Sequence, residues 1–127
     1  MMENQILSEI NEKLKTKVII VEKPQQFSIE SVFNGVLLMN ASWSGSSVSR
    51  LKAVLQILNT STRTDFEIII FDVDKLSIEQ QKTCLGFYSH GYLEGVLINK
   101  GIVLLRNKHG KDVESFNVFK EKLIEFV

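Results

Sequence analysis

Apolar residues come along this chain in two rhythms, and the alternation between them sketches the fold. Ile6, Leu7, Ile10 and Leu14 sit at helical spacing with charges between them, which predicts an amphipathic helix over 3–15. The β-branched run "KVIIVE" at 17–22 reads as a strand. Pro24 then opens a polar segment, 24–33, predicted as a helix with Phe27, Val32 and Phe33 inward. "GVLLMNA" and "FEIIIFDV" are continuous apolar runs of strand length, as expected of strands covered on both faces. Between them Val48, Leu51, Val54, Leu55 and Leu58 repeat with helical period, from Ser46 or Ser47 to about Thr60, behind a capping serine. Ser77 and Gln80 have capping-box spacing and open a helix to about Tyr88, with Gly91 ending the segment. "EGVLIN" and "IVLLRN" flank "KG", a hairpin signal. Val113, Phe116, Phe119, Leu123 and Phe126 mark a last helix.

The predicted order is α-β-α-β-α-β-α-β-β-α. Strand–helix–strand units require parallel pairing, and the terminal hairpin adds an antiparallel pair. The expectation is an α/β fold, a mixed central sheet between helices on both faces, in one domain spanning 1–127 with the helix at 1–16 as an N-terminal extension. The length of 127 residues, 44% of them apolar, suits a single core.

Charge removes several function classes. Fifteen basic residues balance 15 acidic ones, leaving no electrostatic footprint for nucleic acid or an anionic membrane. No apolar run approaches the roughly 20 residues that span a bilayer. The opening "MMENQILSEINEKLK" lacks the apolar centre of a signal peptide. The single cysteine, Cys84, forbids an intrachain disulfide, so a reducing, cytoplasmic setting is expected.

The junction "NASWSGSS", 40–47, joins a buried strand to a helix, where unpaired helix amides face whatever lies before them. Its reactive atoms are only the hydroxyls of Ser44, Ser46 and Ser47. "GSSVS" has a faint likeness to a nucleophile elbow, but His90 and His109 lie in loops beside glycines, and helix capping is the preferred role for the serines. The turn has no lysine and no "GK[ST]", which excludes a P-loop. Arg50, one turn into the helix, reads as solvated. Two scattered histidines and one cysteine lack metal-ligand spacing. Asp72 and Asp74 share a strand face, for which end-of-strand solvation or capping is preferred over a cation site. No cofactor or metal is expected.

Taken together these residues resemble the thioredoxin-like superfamily over roughly 17–127. "VEKPQQFSIESVFNGVLLMNASW" is similar to that family's first strand, first helix and second strand, ending on the Trp before its active site. "FDVDKLS" is similar to its third strand, and "GYLEGVLINKG" lies in register with "GIPTLLLFKNG". The resemblance places the family's Trp-Cys-Gly-Pro-Cys on Trp43, Ser44, Gly45, Ser46 and Ser47. It places the family's buried aspartate on Leu38 and its cis-proline on Leu93. A serine hydroxyl cannot enter thiol–disulfide exchange, so this would be a degenerate, redox-inactive member.

Two functions follow as expectations. The preferred one is a non-enzymatic protein that binds another protein, as a dedicated chaperone, adaptor or toxin-immunity protein. Its contact surface would be Trp43, Ser44, Gly45, Ser46, Ser47, Tyr92 and Leu93. Trp43 is either the anchor of that contact or a lid packed over Ser and Leu93, and the sequence leaves both open. The alternative is a monothiol redox protein or other enzyme acting through Cys84, which on a helix reads as a small buried hydrophobe.

Overall fold

A computed structural model describes residues 6–127. Its five strands are β1 (Val18–Val21), β2 (Gly35–Asn40), β3 (Glu67–Asp72), β4 (Glu94–Asn99) and β5 (Ile102–Asn107). They form one sheet in the order β1-β3-β2-β4-β5. β3 pairs in parallel with both β1 and β2, while β4 pairs antiparallel with β2 and β5. The helices are α1 (Glu12–Lys15), α2 (Gly45–Asn59), α3 (Ile78–Leu85) and α4 (Val113–Phe126). The chain is therefore α/β with a mixed sheet, as its apolar runs predict.

Because side chains alternate across a strand, the continuous runs feed two cores. Val36, Leu38, Ile68, Ile70 and Leu97 face Leu51, Val54, Leu55 and Leu58 of α2 and Phe116, Phe119, Leu123 and Phe126 of α4. Ile6, Ile10 and Leu14 close that core at its margin. On the opposite face Leu37, Met39, Ile69, Phe71, Val96 and Ile98 pack against Val32, Leu76, Cys84, Leu85 and Phe87. The central strands β2, β3 and β4 are thus covered on both sides, which is why they tolerate no polar alternation.

Four expectations need correction. The helix expected over 3–15 is interrupted: residues 6–8 are helical, and α1 restarts at Glu12 after an extended Asn11 (residues 3–5 of that helix lie outside the described residues). The break is held from outside, because Asn11 N–H donates to Asn59 Oδ1 at 2.8 Å, Asn11 Nδ2 to Asn59 O, and Asn59 Nδ2 to Glu9 O. The segment 24–33 forms two single 3-10 turns, Pro24–Gln26 and Ile29–Ser31, with Phe27 and Ser28 extended between them. The Phe27 ring meets Phe71 edge-on at 5.0 Å, and that packing outweighs continuation of a helix. Phe33, expected inward, is exposed, as is Val113 at the start of α4. α3 ends at Leu85 rather than Tyr88, because Gly86 takes a left-handed C-cap with φ 83° and donates to Lys82 O.

The capping box is present: Ser77 Oγ accepts from Gln80 N–H and Gln80 Oε1 from Ser77 N–H. So is the hairpin turn, with positive φ at both Lys100 (54°) and Gly101 (76°), as a type I′ turn demands. Asn34 fastens that hairpin to the rest of the sheet. Its Oδ1 accepts from Lys100 N–H at 2.8 Å, and its Nδ2 donates to Asp65 O.

Asp72 ends β3 and accepts a hydrogen bond from Asp74 N–H at 3.1 Å, the capping role. Burial pushes its carboxyl above the ordinary value, with that hydrogen bond opposing. An ionised Asp72 therefore costs the native state stability, and protonation on acidification relieves the cost. Asp72→Asn keeps the Oδ1 acceptor and should raise stability at neutral pH by no more than about 1 kcal/mol, since the carboxyl is still partly solvated. Urea unfolding at pH near 7 and near 4 checks this. The gain should shrink on acidification, and a gain that grows would contradict the burial argument.

Candidate functional site

The helix α2 begins one or two residues earlier than its apolar period suggests, at Gly45, with Ser44 as N-cap. The three serines have three different fates. Ser44 Oγ accepts from Ser47 N–H at 3.3 Å and donates to Gly91 O at 2.5 Å, so one hydroxyl caps the helix and grips the loop before β4. Ser47 is fully buried. Its Oγ accepts from Ala41 N–H at 2.9 Å and donates to Asn40 Oδ1 at 2.8 Å, closing the turn onto the end of β2. Ser46 is exposed. Gly45 faces open space, with nothing near the position a Cβ would take.

Trp43 is 72% exposed. Leu93 is buried in the first core. The far edge of the Trp43 six-membered ring rests on Gly91: a Cβ there would stand 2.6 Å from Trp43 Cη2 and 3.1 Å from Cζ2. Gly91 also has φ 88°, a conformation that favours glycine. Two separate constraints thus require glycine beneath the indole.

Leu93 has φ 61°, uncommon for a bulky residue and costing about 1–2 kcal/mol. The burial of its side chain holds it there, and the peptide bonds of the described residues, including Tyr92–Leu93, are trans. Leu38, at the position the resemblance gives to a buried acid, lies in the first core opposite Ile70 and Gly95. It offers no proton-transfer group.

Three residues of this region were not legible as site residues. Arg50 is not solvated as expected. Its guanidinium donates to Tyr92 O at 3.0 Å and to Gly110 O, with Phe116 beneath it at 4.6 Å from the ring centroid. It thereby ties the loop before β4 to the loop before α4. Glu94 is fully buried and accepts from Ser89 Oγ at 2.6 Å and His90 N–H at 3.2 Å. Gln81 is buried too, donating to Leu76 O and accepting from Ser89 N–H. The only sequence signal for Glu94 was an acid opening a strand that is then apolar as far as Asn99.

Tyr92 is half-buried and, with His90, faces Lys108, His109 and Lys111 across an open cleft of about 690 Å³. The structure therefore brings Trp43, Ser44, Tyr92 and Leu93 to one end of the sheet, where the tips of β2 and β4 meet. Cys84 lies in the opposite core, and burial pushes its thiol up, so little thiolate exists near neutral pH. Among the described residues no group of three or more His, Cys, Asp or Glu side chains could hold a metal ion, and no helix is long and apolar enough to cross a membrane. No model of a known protein family matches the chain, and no curated protein sequence matches it.

The Trp43–Gly91 contact can be measured through a double-mutant cycle. Gly91→Ala should cost about 1–3 kcal/mol, from its positive φ and the collision with the indole. In a Trp43→Ala background the same change should cost about 1 kcal/mol less, because the collision is gone. Strict additivity in denaturant unfolding would mean that the indole does not rest on Gly91.

Proposed function

We propose that the chain is a redox-inactive protein of the thioredoxin-like class, which binds another protein through the surface around Trp43. Dedicated chaperone, adaptor or toxin-immunity roles are compatible with such a contact. The strand order and the helix springing from the end of the central β2 support the class assignment. Serine at 44 and 47 and leucine at 38 supply neither a sulfur pair nor a proton relay, so the surface serves for binding rather than electron transfer. Cys84 lends the alternative redox reading little support, being buried in the other core.

One observation carries the reading: the sole Trp of the chain stands 72% exposed on a support that cannot easily move. Gly91 lies under the ring, Ser44 grips the Gly91 carbonyl, and Ser89 Oγ accepts from Gly91 N–H at 3.0 Å while donating to Glu94. An aromatic side chain already fixed before contact loses little freedom on binding. Large aromatics held in this way dominate the energetics of protein interfaces.

The test is affinity capture from the native cell with the tagged chain, followed by calorimetry with the purified partner. Trp43→Ala should fold normally and weaken binding by roughly 2 kcal/mol or more, about 30-fold. Unchanged affinity in a folded Trp43→Ala variant would remove this surface from the interaction.

A further inference from the structure

A second surface stands independently of Trp43. β5 is the edge of the sheet, and no described strand pairs with its outer side. Edge strands usually carry lysine or proline to deter pairing with other chains. Here Ile102 is 65% and Leu104 45% exposed, with Val103 between them also exposed, and the one charged residue of the strand, Arg106, turns its guanidinium to Leu85 O. The edge has one irregularity, a register step in which Leu97 faces Leu105 and Ile98 faces Val103, leaving Leu104 as the extra residue.

Beside this edge runs a groove of about 210 Å³ between β5 and α4, with Leu105 and Val118 as its apolar lining and Lys108 and Glu114 among its polar members. Asn107 also lines it. Asn107 is only 4% exposed, yet neither Oδ1 nor Nδ2 has a hydrogen-bond partner among the described residues. Leaving both ends of a buried amide unpaired is costly, and native structures rarely do so without a reason. A side-chain amide sets one acceptor beside one donor group, the same pair that a peptide unit presents in complement.

We propose that the groove between β5 and α4 binds an extended segment of another polypeptide, which adds a sixth strand alongside β5 and takes the Asn107 amide onto one of its peptide groups. Asn107 lines the groove and has no hydrogen bond among the described residues to give up in meeting it. Apolar residues at alternate positions of the segment cover Ile102 and Leu104. Lys108 and Lys111 stand beyond the C-terminal end of β5; of the carboxylates beside them, Asp112 is engaged in capping α4 through Glu114 N–H and Ser115 Oγ, and Glu94, buried against Gly110, accepts from Ser89 Oγ and His90 N–H. An antiparallel segment with acidic residues at its amino end therefore meets positive charge, which exceeds that of Glu114 in the groove. A second copy of this chain fits poorly. Antiparallel self-pairing about Leu104 and Leu105 would set Lys100 of each copy against the Lys108–His109 end of the other.

The probe is a synthetic peptide of two glutamates followed by six alternating valines and threonines, titrated into the isotope-labelled full chain. Backbone amides of β5 should exchange at least tenfold more slowly, and the Asn107 side-chain amide resonances should shift. Asn107→Leu should fold at least as stably as the parent and bind at least tenfold more weakly. A peptide with lysines in place of the glutamates should bind several-fold more weakly. Undiminished binding by Asn107→Leu, or shifts confined to residues outside β5 and α4, would overturn the proposal. A dimer in sedimentation that Leu104→Lys abolishes would also overturn it, by assigning the edge to a second copy. If Asn107→Leu fails to fold, the exposed Leu104→Lys change carries the test, with loss of peptide binding expected and retention contradicting the proposal.

Discussion

A single buried hydroxyl fixes the geometry on which the candidate site depends. Ser47 sits in the first turn of α2, yet its Oγ reaches back to the Ala41 N–H and the Asn40 amide at the tip of β2. Asn40 in turn pairs in register with Asp72 at the tip of β3. The strand end, the four-residue turn and the helix start are thereby one hydrogen-bonded unit. From that unit Ser44 reaches the Gly91 carbonyl, and Gly91 supports Trp43. The serines of "NASWSGSS" thus have a physical use that needs no chemistry at oxygen: they satisfy buried backbone groups where a helix and a strand leave them unpaired.

The loop on the other side of this contact is held as firmly. Gln81, Ser89 and Glu94 form a chain of hydrogen bonds from α3 to the start of β4, and Arg50 clamps the carbonyls of Tyr92 and Gly110. Leu93 and Lys100 keep positive φ, conformations that persist only where surrounding structure over-determines them. The proposed contact surface needs rigid backing beneath its exposed aromatic, and here that backing comes from polar groups the apolar pattern does not describe.

That division explains what was legible in the sequence. Runs such as "GVLLMN" and "EIIIFD" forecast buried central strands, because burial on both faces leaves no room for polar alternation. The Ser77–Gln80 box and the Lys100–Gly101 turn were readable since their cause is local backbone geometry. Where the expectation failed, a distant partner decided. Asn59 breaks the first helix at Asn11, and Phe71 holds Phe27 in an extended segment. Gly86 carried a local stop signal that the capping pattern could have supplied, but the apolar period ran on past it to Phe87. Of the site, Trp43, Ser44 and Ser47 stood out by position. Arg50, Glu94 and Asn107 did not, because a charged or amide residue looks the same in a sequence whether water or a carbonyl surrounds it.

The most direct test of this account is the stability of Ser47→Ala. If the hydroxyl is the tie between β2 and α2, its removal takes the acceptor from the buried Ala41 N–H and should cost about 1–3 kcal/mol in urea unfolding, with the slope unchanged. Exchange of the Ala41 amide proton should quicken in step. Wild-type stability in Ser47→Ala, with Ala41 still protected, would contradict the claim that this serine serves the architecture of the site.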